Sequence, residues 1–166
     1  MTGEQWRAWA ARLAVVVAAV VVFIALSRLW TYANTDDPEL IEQGAIARTA
    51  ASACAVMRDS AAASAVAATA PIPQRVGAIN AQNDAVTELV ATMNKLGSER
   101  LDSDQPASQW LEDWQRLVSA RDAYARSLAA GQPKPMLLPT IDGKGLVERL
   151  NNVGLNCRVP LVLLAP

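Results

Sequence analysis

The stretch QRVGAINAQNDAVTELVATMNKLG, residues 74–97, is the segment that most clearly defines the fold of this chain. Its apolar and amide side chains recur at steps of three and four residues: Val76, Ile79, Asn83, Val86, Val90 and Met93. This spacing puts them on one face of an α-helix with a seven-residue period. Gly97 follows as a natural C-terminal stop. The pattern predicts an amphipathic helix that packs against other helices through this face.

The preceding segment, residues 38–70, also favours a helix. Asp37 is placed to cap it and Pro38 to occupy its first position, and Pro71 and Pro73 end it. One side of the predicted helix carries residues of the types that are usually buried: Ile41, Ala45, Cys54, Met57, Ala61 and Ala65. The second half of the segment has so few large side chains that a loose or broken helix is an equal alternative.

The following segment predicts a third helix, from about residues 104–106 to Ala130, with Gly131 as its stop. Its apolar stripe consists of Trp110, Trp114, Leu117, Tyr124 and Leu128, with Leu111, Val118 and Ala125 beside it. A shorter helix is expected over residues 145–153, and a strand is considered only for residues 159–164. We therefore predict an all-α fold, with an N-terminal transmembrane helix followed by an antiparallel three- to four-helix bundle.

The apolar run from Leu13 to Ser27 contains no charged side chain. Fifteen helical residues span about 22 Å, short of the roughly 30 Å hydrocarbon core. Arg12 and Arg28 can extend the span by snorkelling, and interfacial aromatic residues flank it: Trp6, Trp9, Trp30 and Tyr32. We predict an uncleaved signal-anchor. The alternatives are a signal peptide cleaved after residues 31–33, which make a poor site, and a buried core helix.

The charges around this run predict its orientation. Arg7 and Arg12 precede it and only Arg28 follows, so the N-terminus is expected in the cytoplasm. Residues 1–33 then form the cytoplasmic N-terminus and plasma-membrane anchor, and residues 34–166 an extracytoplasmic helical domain. That domain carries 12 basic and 15 acidic groups without a basic stripe, which argues against nucleic-acid binding.

Cys54 and Cys157 are the only cysteines, and both lie in the predicted outer domain. In an oxidising compartment such a pair is interpreted as a disulfide. Two buried thiols are the alternative. Two thiols without histidine make a metal site improbable, and we expect no metal and no cofactor.

Several kinds of catalytic site are excluded or disfavoured by composition. The chain has no histidine and neither phosphate-loop motif, which removes Ser-His-Asp and Cys-His nucleophile systems and P-loop chemistry. Two carboxylate pairs, Asp102 with Asp104 and Glu112 with Asp113, are interpreted as solvated or capping groups and not as catalytic pairs. DGKG at residues 142–145 is interpreted as a plain turn that enters a helix. No catalytic residue is predicted.

Four residues are candidates for a partner or ligand surface. Trp110 and Trp114 lie one helical turn apart and would form a platform for a ligand, or else bundle core. Asn83 lies in the seam of its helix, where it would fix a homodimer or contact Arg121 within the chain. Arg121, if buried, needs a carboxylate or carbonyl partner. The apolar tail VPLVLLAP, residues 159–166, would dock in a partner or pack on its own bundle, and we favour the latter.

AINAQNDAVTELVATMNKLG (residues 78–97) followed by WLEDWQRLVSARDAYARSLAAG (residues 110–131) resembles small, alanine-rich, single-anchor membrane proteins of actinobacteria. The resemblance implies the location and the helical class, and no site residue. We expect a non-enzymatic accessory or scaffold subunit that contacts the lipid bilayer and binds another envelope protein or forms a homo-oligomer. The alternative is an extracytoplasmic sensor or small-ligand-binding module.

Overall fold

Residues 16–29 form a continuous helix, α1, in the computed structural model, which describes this segment and residues 40–164. The side chains of α1 are exposed and include Phe23, Ile24 and Leu26. Among the described residues, no helix combines the length and the apolar character needed to cross a membrane. The predicted aromatic flanks, Arg12, the possible cleavage site and the Asp37–Pro38 cap lie outside the described residues.

The chain divides into two units, Met1–Asp37 and Pro38–Pro166, and the second unit is a helical bundle. Its long helices are α2 (Gly44–Ala63), α3 (Ile72–Asn94) and α5 (Gln105–Ala129). The shorter elements are α4 (Ser98–Asp102), β1 (Thr140–Ile141), β2 (Lys144–Gly145), α6 (Leu146–Asn151) and α7 (Leu161–Leu164). Helix α3 packs against both α2 and α5. The expected helical bundle is thereby confirmed.

Helix α2 is shorter than the predicted 38–70 helix at both ends. It begins at Gly44 because the backbone N–H groups of Glu42 and Gln43 donate to the Asp104 carboxylate, at 3.1 and 2.9 Å, instead of continuing a helix. It ends at Ala63, after which residues 65–69 are small and exposed. With no large side chain to bury, these residues gain little from packing, so the helix stops where the bundle stops.

The sequence predicts a glycine stop for two helices, and the structure has it for one of them. Helix α3 ends at Asn94, and Gly97, with φ of 87°, comes directly before α4 instead of capping α3. Gly131, with φ of 71°, follows the end of α5 as predicted. Both have a positive φ, which glycine adopts without steric cost.

The C-terminal region departs from the sequence prediction in two places. Residues 159–164 were considered for a strand, but Leu161–Leu164 is one helical turn, with the Leu163 N–H donating to the Pro160 carbonyl at 3.0 Å. The only described strands, β1 and β2, form a hairpin instead. Asp142 and Gly143 make its turn with φ of 51° and 78°, which is the Asp-Gly chemistry of a two-residue hairpin loop.

The core of the bundle runs between the long helices and the C-terminal segment. The predicted α3 seam is buried except for Val76, which is half-buried. The α5 stripe is buried at Trp110, Trp114, Leu117 and Leu128. From α6 and the tail, Leu146, Leu150, Val159 and Leu163 join the same core. The C-terminal segment therefore completes the hydrophobic core as an integral element.

Candidate functional site

Arg121 is the most unusual side chain of the bundle, since it is a cation with no exposed surface. It lies on the inward stripe of α5, and its Nε donates to Asn83 Oδ1 of α3 at 2.7 Å. The two terminal nitrogens donate to Gln82 Oε1 of α3 and to the Leu163 carbonyl of α7. One guanidinium thus joins three elements that are remote in sequence.

Burial lowers the pKa of Arg121 to about 10, and the neighbouring Asp122 opposes this shift. Asp122 is linked to the same group through an amide, because Asn83 Nδ2 donates to Asp122 Oδ1 at 2.5 Å. Arg121 consequently stays charged at neutral pH, with neutral oxygens as its direct partners. Such a charge-assisted network is rigid and directional. Its donors point at protein atoms, so its role is to position elements.

The contact between Asn83 and Arg121 is the one that the sequence predicted, as is the carbonyl partner of Arg121. The alternative, a homodimer seam at Asn83, finds no support because both ends of that amide are bonded within the chain. Gln82 was missed, although it is adjacent to Asn83 and 4% exposed. The sequence signal for Gln82 is its position next to Asn83, which puts two consecutive amide side chains at the seam of the helix.

A disulfide between Cys54 of α2 and Cys157 holds the C-terminal segment at a second point. Their Cα atoms are 5.7 Å apart and their sequence separation is 103 residues. Nearby, Arg58 Nη1 donates to the Asn156 carbonyl at 3.3 Å. Described residues 159–164 of the tail therefore pack on the bundle itself, with Leu163 buried and Leu161 exposed.

Trp110 and Trp114 form an edge-to-face pair with ring centroids 6.0 Å apart. They are 1% and 0% exposed, and Trp110 Nε1 donates to the Leu150 carbonyl at 3.2 Å. Within the described fold they contribute no surface for a ligand or partner, and the same is true of Asn83 and Arg121. Their burial supports the bundle-core interpretation of the tryptophan pair.

The carboxylates Glu112 and Asp113 of the second predicted pair lie on α5 in an ion-pair cluster. Asp113 is buried and accepts from Arg116 Nη1 at 2.6 Å and from Arg149 Nε of α6 at 2.8 Å. Glu112 accepts from Arg116 Nη2 at 3.0 Å. The hydrogen bond that Arg116 donates to Asp113, together with the charges of Asp113 and Glu112, raises the pKa of Arg116. This arrangement joins α6 to α5, and the exposed Glu112 lines an open groove together with Asp102 of the other predicted pair.

The first pair has a similar structural role. Asp104 is buried and bonds the two backbone N–H groups before α2, so it caps a neighbouring helix and not its own. Asp102 accepts from Ser108 Oγ at 2.6 Å. No group of three or more Cys, Asp or Glu in residues 16–29 and 40–164 is arranged to hold a metal ion.

The grooves of the described bundle are shallow and open. One lies between α2 and α3 and is lined by small and apolar side chains that include Ala53, Val56 and Leu89. Another lies between the loop after α2, the first turns of α3, and α7, and includes Val66, Arg75 and Val162. No family model, curated protein or solved structure matches this chain.

Proposed function

We propose that this chain is a non-enzymatic, single-pass membrane protein whose C-terminal helical bundle lies outside the cytoplasm and serves as an accessory or scaffold subunit for another envelope protein. The observation that carries the proposal is the buried disulfide between Cys54 and Cys157 in a bundle that follows an apolar run. Stable structural disulfides belong to oxidising compartments. A plasma-membrane anchor at residues 13–27 would deliver the bundle there.

The scaffold role is supported by how the polar groups of the interior are used. Arg121, Asp113 and Asp104 each make several contacts that join one element to another. Catalytic groups instead need a reacting atom within reach and a pKa matched to their task. A chain that devotes its buried charges to rigidity is suited to presenting a fixed surface.

A topology experiment tests the location. Thr69, exposed in the loop after α2, is replaced by cysteine, and intact cells are treated with a membrane-impermeant maleimide. We expect labelling of the membrane-bound full-length chain without lysis. Thr2→Cys, before the apolar run, is the matched control and should label only after lysis. The opposite pattern, or labelled chain released into the medium, would remove the proposed location.

The disulfide requires a separate assay, because Cys54 and Cys157 are 0% and 1% exposed. The native chain should be alkylated only when it is both reduced and unfolded. Alkylation after unfolding without reductant would reveal free thiols. That result would contradict the oxidising compartment.

The accessory role is tested by affinity purification of the tagged full chain from membranes in a mild detergent. We expect an assembly much larger than 17.7 kDa in which one envelope protein recurs at fixed stoichiometry. Co-expression of two differently tagged copies distinguishes a homo-oligomer. A monomer without a stoichiometric companion would refute the scaffold role.

A further inference from the structure

One end of the bundle is formed by segments that carry basic but no acidic side chains. The chain enters the bundle at residues 40–43, beside Asp104; the opposite end is reached about 30 Å away along α2. We call this opposite end the distal end. It comprises residues 64–75, residues 126–134 and α7. These three segments contain Arg75, Arg126 and Lys134 but no Asp or Glu.

Contacts among the three segments show that they meet. Arg75 Nη2 donates to the hydroxyl of Tyr124 at 3.0 Å, which joins the start of α3 to the end of α5. Val66, Arg75 and Val162 line one depression, which joins the loop and α7 to the same end. The backbone N–H of Lys134 donates to Ser127 Oγ at 3.1 Å. Arg75, Arg126 and Lys134 therefore belong to segments that meet at one end of the bundle.

Exposed cations and exposed apolar side chains both occur at the distal end. Arg126 and Lys134 are exposed and make no ion pair with any residue in the described ranges. Val66, Ile72 and Leu161 are 46%, 45% and 81% exposed. Residues 60–74, which include Val66 and Ile72, carry no charged side chain. Acid-free basic and apolar surface is complementary to anionic headgroups above an acyl layer.

We propose that the distal end docks onto an anionic lipid surface. The alternative occupant, an acidic protein, is less well matched, because protein interfaces are anchored by aromatic or deeply seated side chains. Residues 65–70 of this end are alanine, valine and threonine. They provide no aromatic or long side chain that could anchor a specific protein partner. A headgroup layer requires no such shape match. The inference is independent of the proposed anchor.

The full chain, reconstituted in nanodiscs of phosphatidylcholine, is mixed with fluorescent vesicles containing 30% phosphatidylglycerol or phosphatidylcholine alone, and binding is measured by flotation. Each cation near an anionic surface contributes about fivefold to partitioning. The two exposed cations, Arg126 and Lys134, predict about 25-fold stronger binding to the anionic vesicles at low salt. The preference should fall as salt rises.

The double variant Arg126→Glu/Lys134→Glu reverses two exposed charges and should abolish the anionic preference. The matched control, Arg100→Glu/Lys144→Glu, changes the net charge equally at exposed sites away from the distal end and should bind like the native chain. Leu161→Ser should weaken binding severalfold. Circular dichroism and melting curves of every variant verify that the bundle is folded.

Equal binding of the native chain to both vesicle types would overturn the proposal, as would equal loss in the two charge-reversal variants. Retention of the native chain on immobilised polyglutamate but not on vesicles, with loss in the Arg126/Lys134 variant, would replace lipid by an acidic protein. None of these outcomes depends on the topology labelling, so failure of the anchor and failure of the docking surface are distinguishable.

Discussion

Arg121 is the residue whose replacement would disrupt the most buried hydrogen bonds. Arg121→Met removes the donors for Gln82, Asn83 and the Leu163 carbonyl, and each buried acceptor left unpaired costs about 1–3 kcal/mol. Relief from burying a charge offsets part of that loss. We expect a net decrease of about 2–4 kcal/mol in the free energy of unfolding, measured by urea titration with far-UV circular dichroism.

Two controls make this test specific. Arg121→Lys keeps the charge but not the fork of donors, and we expect it to lose at least half as much stability as Arg121→Met. Arg126→Met removes an exposed arginine one turn further along α5 and should change stability by less than about 0.5 kcal/mol. An Arg121→Met variant as stable as the native chain would show that the network contributes nothing net.

The lowered pKa of Arg121 also predicts a dependence on pH. Its pKa is about 10 in the folded chain, well below the ordinary value of an arginine. Above pH 10 the unfolded chain therefore holds a proton that the folded chain has released, and stability rises with pH in that window. Below about pH 9 both states are protonated and this group gives no dependence.

Subtracting the stability of Arg121→Met from that of the native chain at each pH cancels the titration of lysines and tyrosines. We expect the difference to be flat from pH 7 to 9 and to shift in favour of the native chain by about 1 kcal/mol between pH 9 and 11. A difference that falls over the same interval would contradict the sign of the pKa shift.

At the scale of elements, the C-terminal segment is held by the disulfide at Cys157 and by Arg121 at Leu163. A disulfide that closes a loop of about 100 residues contributes at most about 4.7 kcal/mol in the chain-entropy treatment. We expect Cys54→Ala/Cys157→Ala to lower the free energy of unfolding by about 2–4 kcal/mol. The variant should remain helical because the long helices keep their shared core.

Hydrogen exchange locates the effect within the variant. Without the disulfide, amides of the tail such as Val159 and Leu163, which bond Asn151 Oδ1 and the Pro160 carbonyl, should exchange well before those of α3 and α5. Local opening of this kind is expected where an element loses its covalent tie. Equal acceleration across all helices would show that the tail unfolds only with the whole bundle.

The elements that the sequence predicted well are those with a repeating apolar pattern and a glycine or proline stop. Helices α3 and α5 have the apolar pattern, and their inward faces agree with the predicted seams, although only α5 ends at its predicted glycine. For the alanine-rich second half of the predicted 38–70 helix, the alternative of a broken helix is the one observed, because α2 ends at Ala63 and the residues that follow have no large side chain to pack. The start of α2 is set by Asp104, which lies 61 residues from Gln43 in the sequence. A local sequence pattern therefore cannot predict it.

The contacts of the candidate site also divide into those that a sequence pattern predicts and those that depend on distant residues. The contact of Asn83 with Arg121 was predictable, since two polar residues on two apolar seams must satisfy each other. The burial of Asp113 was not, because its partner Arg149 comes from α6, 36 residues away. The hairpin at Asp142–Gly143 was missed as a strand pair since each strand is only two residues long, too short for an alternating pattern to be visible.

At the scale of the whole molecule, the buried core is confined to one unit. Every residue of the main hydrophobic core lies between Ile41 and Leu163, and each described residue of α1 is exposed. The disulfide and the Arg121 contacts lie in the same interval. A unit that holds its own core and crosslink should fold by itself.

We therefore expect residues 38–166, produced in an oxidising compartment, to unfold cooperatively with a Tm within about 4 °C of the full chain in nanodiscs, a difference below about 1 kcal/mol.

A fragment that starts at Arg48 is the sharper control. It lacks the backbone bond from Ile41 to the Val153 carbonyl and both backbone donors to Asp104. It also lacks the buried core side chains of Ile41 and Ile46, so this fragment should melt at least 8 °C lower, by about 2 kcal/mol or more. If the two fragments melt together, residues 40–47 do not stabilise the bundle as the structure implies; if neither folds, the core of the bundle depends on residues before 38.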